Sequence, residues 1–437
     1  MEIPNGSGKV VNYFIITRDR PDLLRECLTS LGEGHESRLG RIGGRIYVID
    51  DSTSSGFRTA VGSACCREKY KLPVFYLGQA SYAELIQEVE DRTGMSPACL
   101  RALMGSLGCA GWNVHAARNF GFLFARAHLR ETPLYCFLDD DIRLTPASYL
   151  DRYFAPDALD IISDNLDVLC STRPVALGSS FVGRQDVTLS RHVELRSREV
   201  LQCAGSGFPH LNHGFPMAVA TTCDKIDEFD DIPSAGFLVA NYAALAFAHS
   251  GGFYNQDWLW ARLVASEPRA VVARLKAVAL HIGPARACSR QMILAQEIGE
   301  IFYDALTDSL LQKPDGEESV RFVRQQLGER ALKLAAEDHM AVLCGRVTTI
   351  GNAVAALNQS GDKRLVPARR ALKTYGKGIG EAIQSLSGGE YARHLPRFQA
   401  YLDQVPVWRR IVPEQTSSHH PWLSAVRPPH RDQRRCG

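Results

Sequence analysis

The chain has 437 residues, a formal net charge of +2 and 45% hydrophobic residues. That length can bury the cores of two or three domains. The near-neutral balance argues neither for nor against nucleic acid, but no basic stripe interleaved with aromatics marks it as a partner. No apolar run reaches membrane-spanning length: the closest, residues 235–248, is short and carries Asn241. The first eight residues are polar, without a signal-peptide core, and the 12 cysteines show no CxxC spacing. Both features favour free thiols in a cytoplasmic protein over disulfides or a zinc site.

The first apolar run, Val10 to Ile16, has strand length and is broken by Thr17, Arg18, Asp19, Arg20 and Pro21. Pro21 suits the first turn of a helix. Leu23, Leu24, Cys27, Leu28 and Leu31 then recur at helical spacing, and Gly32 and Gly34 read as the stop. Residues 45–49 form a second strand that ends at Asp50 and Asp51, and residues 72–77 a third. This β-α-β-x-β rhythm predicts an α/β fold with parallel strands. Residues 81–110 predict two helices, the second with Ser96 as N-cap and Pro97 at the first helical position. Another helix opens near Gly111 and runs past Phe124 to Ala127. It delivers the chain to residues 134–138, an apolar strand that ends in Asp139, Asp140 and Asp141.

Residues 145–233 are mixed, with loop chemistry around His210 and His213. Residues 234–239 are apolar, Gly251 to Trp258 open a helix, and residues 270–280 read as a strand with His281 at its end. After residue 285 long helical patterns dominate, at 287–312, 316–345 and 366–385. Asp315 and Glu318 have the spacing of a capping box. Residues 413–437 read as a basic, disordered tail. The expected division is therefore 1–285, 286–412 and 413–437.

Three consecutive carboxylates cannot share the burial of the strand that carries them. They should surface and present oxygens to something positive, and hard cations such as Mg²⁺ and Mn²⁺ prefer such oxygens. The alternative is an acidic turn with no ligand. Side chains alternate along a strand, so Asp139 and Asp141 share a face if the strand persists. Asp50 and Asp51 end a neighbouring strand, and ligands in open α/β sheets sit outside the carboxyl ends of the strands. Asp257 is either a general base or the N-cap of the helix that follows it. Trp112, Trp258 and Trp260 read as core residues.

Five stretches in this order resemble the GT-A nucleotide-sugar glycosyltransferases, especially family 2. They are the first strand with Thr17–Pro21, Val48–Ser52, Ala117–Gly121, Asp139–Asp141 and Asn255–Trp258. The resemblance covers about the first two thirds of the chain. It implies a GT-A Rossmann-like mixed sheet flanked by helices, followed here by an α-helical C-terminal region. It implies metal-dependent, inverting transfer from a nucleoside diphosphate sugar, most often a UDP-sugar, to an acceptor hydroxyl or amine. In that scheme Asp257 is the base, and Asp50 or Asp51 binds the nucleoside with Thr17 and Arg18 beside it. Arg118 meets phosphate or base, the alternative being an ion pair with a strand-end acid, and Asp140 belongs to the donor site. Asp141 is the direct Mn²⁺ or Mg²⁺ ligand, Asp139 meets ribose or the metal through water, and His281 completes the metal shell. The acceptor would be soluble, and the helical region would shape its binding or dimerise. Two rivals remain: an inactive GT-A-like scaffold, and a haloacid-dehalogenase-like phosphatase using Asp139 and Asp141. Ile142 and Arg143 stand where that phosphatase family carries small and hydroxyl residues.

Overall fold

A computed structural model describes residues 10–40, 42–66, 70–105, 107–108, 114–129, 134–144, 172–183, 237–251, 253–281, 289–359 and 366–411, together with 159, 162, 169, 170 and 363. The elements run β1 (Val10–Thr17), α1 (Pro21–Leu39), β2 (Gly43–Asp50), α2 (Ser55–Cys65), β3 (Val74–Leu77), α3 (Gln79–Thr93), α4 (Pro97–Met104) and α5 (Val114–His128). Then come β4 (Leu134–Asp139), β5 (Ile142–Arg143), β6 (Val175–Gly183), β7 (Phe237–Asn241), α6 (Gln256–Ala265) and β8 (Val271–His281). The C-terminal helices are α7 (Arg290–Leu311), α8 (Ser319–Gln326), α9 (Glu329–Gln359), α10 (Val366–Ser387) and α11 (Leu395–Ile411). The strands form one sheet in the order β3-β2-β1-β4-β7-β6-β8-β5. Strands β3, β2, β1 and β4 are mutually parallel, and β7 runs antiparallel between β4 and β6. The result is an α/β fold with a mixed sheet flanked by helices.

Alternation along the strands builds two cores, one on each face of the sheet. Tyr13, Ile15, Ile46, Val48, Cys136 and Leu138 pack beneath α1 and α2. Phe14, Tyr47 and Phe137 point to the other face, where α5 and the C-terminal helices lie. There the rings form a ladder across four strands. Phe14 stacks on Phe137 at 4.9 Å and on Tyr47 at 5.1 Å, and Tyr47 stacks on Phe75 at 5.2 Å. Helix α5 meets this ladder with Gly121 and with two rings: Phe124 lies 5.5 Å from Tyr47 and 6.4 Å from Phe14, and Phe122 lies 4.7 Å from Phe137. A Cβ on Gly121 would stand 2.8 Å from Ile49 Cδ1 and 3.2 Å from Phe137 Cε1.

Four local expectations are corrected. Gly32 and Gly34 do not stop α1, which continues to Leu39. A helical glycine costs only about 1 kcal/mol relative to alanine, and both are buried here. The last turns are also anchored: His35 bonds Tyr13 Oη and the Ile42 carbonyl, each at 2.8 Å. Asp315 and Glu318 make no capping box. Glu318 is itself the N-cap of α8, its carboxylate accepting from Val320 N and Arg321 N. The single helix expected over 316–345 is two, α8 and α9. Asp257 is not an N-cap, since Asn255 holds that place and Asp257 lies in the first turn of α6. The Ser96–Pro97 start holds, with Ser96 Oγ accepting from Cys99 N.

The C-terminal helices share one hydrophobic cluster with the sheet. Tyr401 Oη donates to the Ala248 carbonyl at 2.8 Å, and Trp408 Nε1 to the Leu245 carbonyl at 3.0 Å. Arg409 reaches Glu267 at 2.6 Å and lies over the Phe247 ring. The cysteines Cys27, Cys65, Cys66, Cys99, Cys136, Cys170 and Cys344 are free thiols. Among the described residues no helix is long and apolar enough to cross a membrane.

Two glycine substitutions separate close packing from helix propensity. Gly121→Val is expected to lower unfolding free energy by about 1–3 kcal/mol, the cost of overpacking a filled core. Gly62→Ala, in α2 with nothing within 4 Å, is expected to raise it by roughly 0.5–1 kcal/mol. Urea unfolding of both variants reads the difference, and equal effects would contradict the close seat of α5.

Candidate functional site

The register aligns the carboxyl ends of three parallel strands. Thr17 lies opposite Asp50, and Ile16 opposite Asp139. The ladder carries on one step past each strand: Asp51 N donates to the Thr17 carbonyl at 3.0 Å, and Asp140 N to the Ile16 carbonyl at 3.2 Å. Both acidic pairs therefore flank Thr17.

Asp140 is fully buried. Its Oδ2 accepts from Thr17 Oγ1 at 2.7 Å, and its Oδ1 meets Arg20 Nη2 at 2.6 Å. The other arm of Arg20 reaches Asp141 Oδ2 at 2.8 Å. One guanidinium thus bridges two of the three acids, the fork geometry that arginine presents to carboxylates. Burial pushes the Asp140 carboxyl up, while Arg20 and Thr17 pull it back. Beneath the turn, Arg143 donates from Nη1 to the Asp140 and Ile142 carbonyls, both at 2.9 Å, and pairs with Glu26 at 2.7 Å. Arg143 holds the backbone of the acidic turn, which explains a cation two residues past the last of the three acids.

The second acidic pair is also built in. Asp50 is buried, accepting from Ser52 N at 2.9 Å and from Tyr76 Oη at 2.7 Å. Asp51 pairs with Arg18 at 3.1 Å and accepts from Gly108 N at 2.5 Å. Gly108 has φ +70°, and a Cβ there would run into Gln79 and the Ser52 carbonyl. Only glycine suits such a position without strain. Asp19, a non-glycine residue with φ +56°, is held by the same loop. Its carboxylate accepts from Thr53 N and Thr53 Oγ1, each at 2.9 Å, and its N–H donates to Ser52 Oγ at 3.0 Å.

Helix α5 ties the acidic end to the segment that carries Asp257. Arg118 Nη2 lies 3.5 Å from Asp139 Oδ1. The next residue, Asn119, clasps the His249 backbone: its Nδ2 donates to the carbonyl at 3.1 Å, and its Oδ1 accepts the N–H at 2.6 Å. One turn earlier, His115 fills the space over Gly251, where a Cβ would stand 3.0 Å from its Nε2. Burial, with Arg397 and Arg118 adding to it, pushes His115 down to about 4. Burial also pushes His249 well below its usual value, and its ring stacks on Trp260 at 5.3 Å. Asp257, eight residues beyond His249, is half-buried.

His281, the last residue of β8, pairs with Ile142 in register, one residue past Asp141. Trp260 is core, its Nε1 donating to the Phe247 carbonyl at 3.1 Å, and half-buried Trp258 packs edge-on to Tyr303. Trp112, His210, His213 and residues 413–437 lie outside the described residues. Sequence reasoning brought Thr17, Arg18, Asp50, Asp51, Arg118 and Asp139–Asp141 to one region, and there they stand. It missed Arg20, Arg143, Asn119 and Tyr76. Arg20 carries a local signal, as the only other cation between the first strand and Pro21, and Asn119 lies inside the Ala117–Gly121 stretch that carries the resemblance; Tyr76 has no such signal.

A separate cluster lies between α7 and α9. Glu297, Glu300 and His339 offer ligand atoms all within 4.8 Å of one another, a set that could hold a metal ion. His339 Nε2 bonds Glu297 Oε2 at 2.8 Å, and Arg346 reaches both glutamates at 3.4 and 3.5 Å. Burial disfavours the charged imidazole, but Glu297 and Glu300 outweigh it and raise the His339 value.

No protein-family model matches the chain, and no curated protein matches it. Among solved structures it is similar to the galactosyltransferase LgtC in complex with donor and acceptor sugar analogues. The identity is 13%, over 53% of this chain and 58% of that one, with a TM-score of 0.22. The chain thus spans less than two thirds of that structure's length.

The His339 cluster carries a pH dependence of stability. A histidine whose value rises on folding stabilises fully below its unfolded value, about 6.5, and loses that contribution as pH climbs through the folded one. Burial raises Glu297 as well, with the same sign. The melting temperature is expected to fall as pH rises above about 6.5. In His339→Gln that slope should flatten. Parallel pH profiles for the two proteins would refute the assignment.

Proposed function

We propose that the chain transfers a sugar from a nucleoside diphosphate sugar to an acceptor hydroxyl or amine at the acid-lined end of its sheet. One observation carries this reading. Two acidic pairs flank Thr17 at the carboxyl ends of adjacent parallel strands, and Arg118 and Asn119 join that end to the segment leading to Asp257. This is where open α/β sheets bind ligands, and it matches the resemblance drawn from the five sequence stretches.

The donor set fits a hard divalent ion. Three carboxylates stand against two guanidiniums, Arg20 and Arg118, and Arg20 already occupies the cradle as a cation. Asp141 and Asp139 would hold Mn²⁺ or Mg²⁺, with His281 as a further ligand beside them. When bound, the ion would stabilise charge on the departing diphosphate. The chain's own residues do the rest. Asp51 and Arg18 bind the nucleoside, and Asp50 holds the loop that carries them through Ser52 and Tyr76. Arg118 makes a charge-assisted contact to phosphate. Asp257 accepts the acceptor's proton as the new glycosidic bond forms, with inversion at the anomeric carbon. UDP is the first nucleotide to test, and the acceptor is a soluble molecule. The helical region after residue 285 forms the acceptor-facing wall or a homodimer contact.

Thermal stability against UDP, GDP, dTDP and CDP, with and without Mn²⁺, tests the donor site. At about 100 times its dissociation constant, a ligand specific for the native state adds about 2.7 kcal/mol. A Mn²⁺-dependent shift with one nucleotide is expected, and Asp141→Ala should abolish it. No shift with any of the four, in a folded sample, would overturn the reading. Asp257→Asn is expected to keep nucleotide binding and lose transfer by ~10²–10⁴-fold. Transfer at the wild-type rate would remove Asp257 as the base.

A further inference from the structure

We infer that Arg20 couples metal binding to diphosphate binding, holding the metal's place on Asp141 until a diphosphate arrives. The inference rests on the donor-site reading above. The two arms of Arg20 meet different environments. Nη2 is set against the fully buried Asp140 at 2.6 Å, and the other oxygen of that acid is taken by Thr17. Nη1 lies on Asp141 Oδ2 at 2.8 Å, the acid assigned to the metal. The side chain as a whole is 32% exposed, and the partner of Nη2 is fully buried whereas that of Nη1 is not. A divalent ion and a guanidinium arm compete for one carboxylate and repel each other. A metal bound through Asp141 Oδ2 therefore displaces Nη1 from its carboxylate acceptor. A diphosphate supplies the missing acceptor oxygens, and arginine takes them readily.

The backbone adds a link to the nucleoside corner. Arg20 follows Asp19, whose φ of +56° is accompanied by bonds to Ser52 and Thr53. The residue before that loop segment, Asp51, pairs with Arg18. The Asp51–Thr53 loop thus sets the direction from which Arg20 enters the acids. A nucleotide that orders this loop also fixes Arg20. Affinity coupling of this kind is reciprocal, so nucleotide and metal must tighten each other by the same factor.

The test measures Mn²⁺ affinity of the full chain by electron paramagnetic resonance, alone and with saturating UDP or GDP. Arg20→Gln is expected to bind Mn²⁺ alone at least tenfold more tightly than wild type. The factor by which nucleotide tightens Mn²⁺ should shrink by a similar amount. Because Arg20→Gln strands a buried Asp140, the double variant Arg20→Gln/Asp140→Asn is measured beside it. Its asparagine oxygen still accepts from Thr17. Circular dichroism melts establish that each is folded. Unchanged or weaker Mn²⁺ binding in the folded single or double variant overturns the inference. Asp141→Ala separates the two failures. If it loses Mn²⁺ while the Arg20 variants match wild type, only the coupling role falls. If Asp141→Ala binds as wild type does, Asp141 is not a metal ligand, and the donor-site reading falls with the inference.

Discussion

A buried carboxylate, Asp140, constrains everything around it. A charge in that position is tolerable only when paired and hydrogen-bonded. Both of its partners, Thr17 and Arg20, come from the turn between β1 and α1, more than a hundred residues earlier in the chain. Removing one partner of a buried pair typically costs about 3–5 kcal/mol, because the other charge is left stranded. The end of β1, the start of α1 and the acidic turn must therefore form together. Arg143 completes the unit from below by binding the turn's own carbonyls. The acids are thus fixed in place before any ligand approaches, and they still carry more negative charge than Arg20 and Arg118 supply.

Helix α5 transmits this order across the sheet. Gly121 lets it approach the aromatic ladder, Phe122 and Phe124 pack on the ladder's rings, and Arg118 of the same helix reaches Asp139. Its next residue, Asn119, then fixes the backbone at His249 in both directions. The segment held this way leads into α6 and Asp257. It is braced from behind by Trp260 under His249 and by Tyr401 and Trp408 from α11. The C-terminal helices are therefore part of the structure that presents the Asp257 segment, and they share its core.

Several elements were legible from local pattern. The apolar runs at 10–16, 45–49 and 134–138 become β1, β2 and β4, since continuous hydrophobicity of strand length is what a doubly covered sheet needs. Ser96–Pro97 starts α4 because an N-cap hydroxyl and a proline at the first helical position both satisfy the helix terminus locally. The misread features depend on distant atoms. Gly32 and Gly34 end no helix because His35, further on, is anchored to Tyr13 and Ile42. Helix α11 carries Pro406 inside its span, which disfavours a helix locally, and Tyr401 and Trp408 tie it to the Ala248 and Leu245 carbonyls.

The sequence by itself determined which residues could do chemistry. Carboxylates at strand ends are unmistakable, because burial forbids them anywhere earlier in the strand. It also determined the order of the strands along the chain. What only the tertiary structure decided is how those acids are balanced. Arg20 lies on Asp140 and Asp141, Tyr76 on Asp50, and Gly108 on Asp51. Such pairings join segments tens to more than a hundred residues apart. Periodicity reports which face a side chain takes, whereas the partner it meets there depends on how the strands align and how closely the helices approach the sheet.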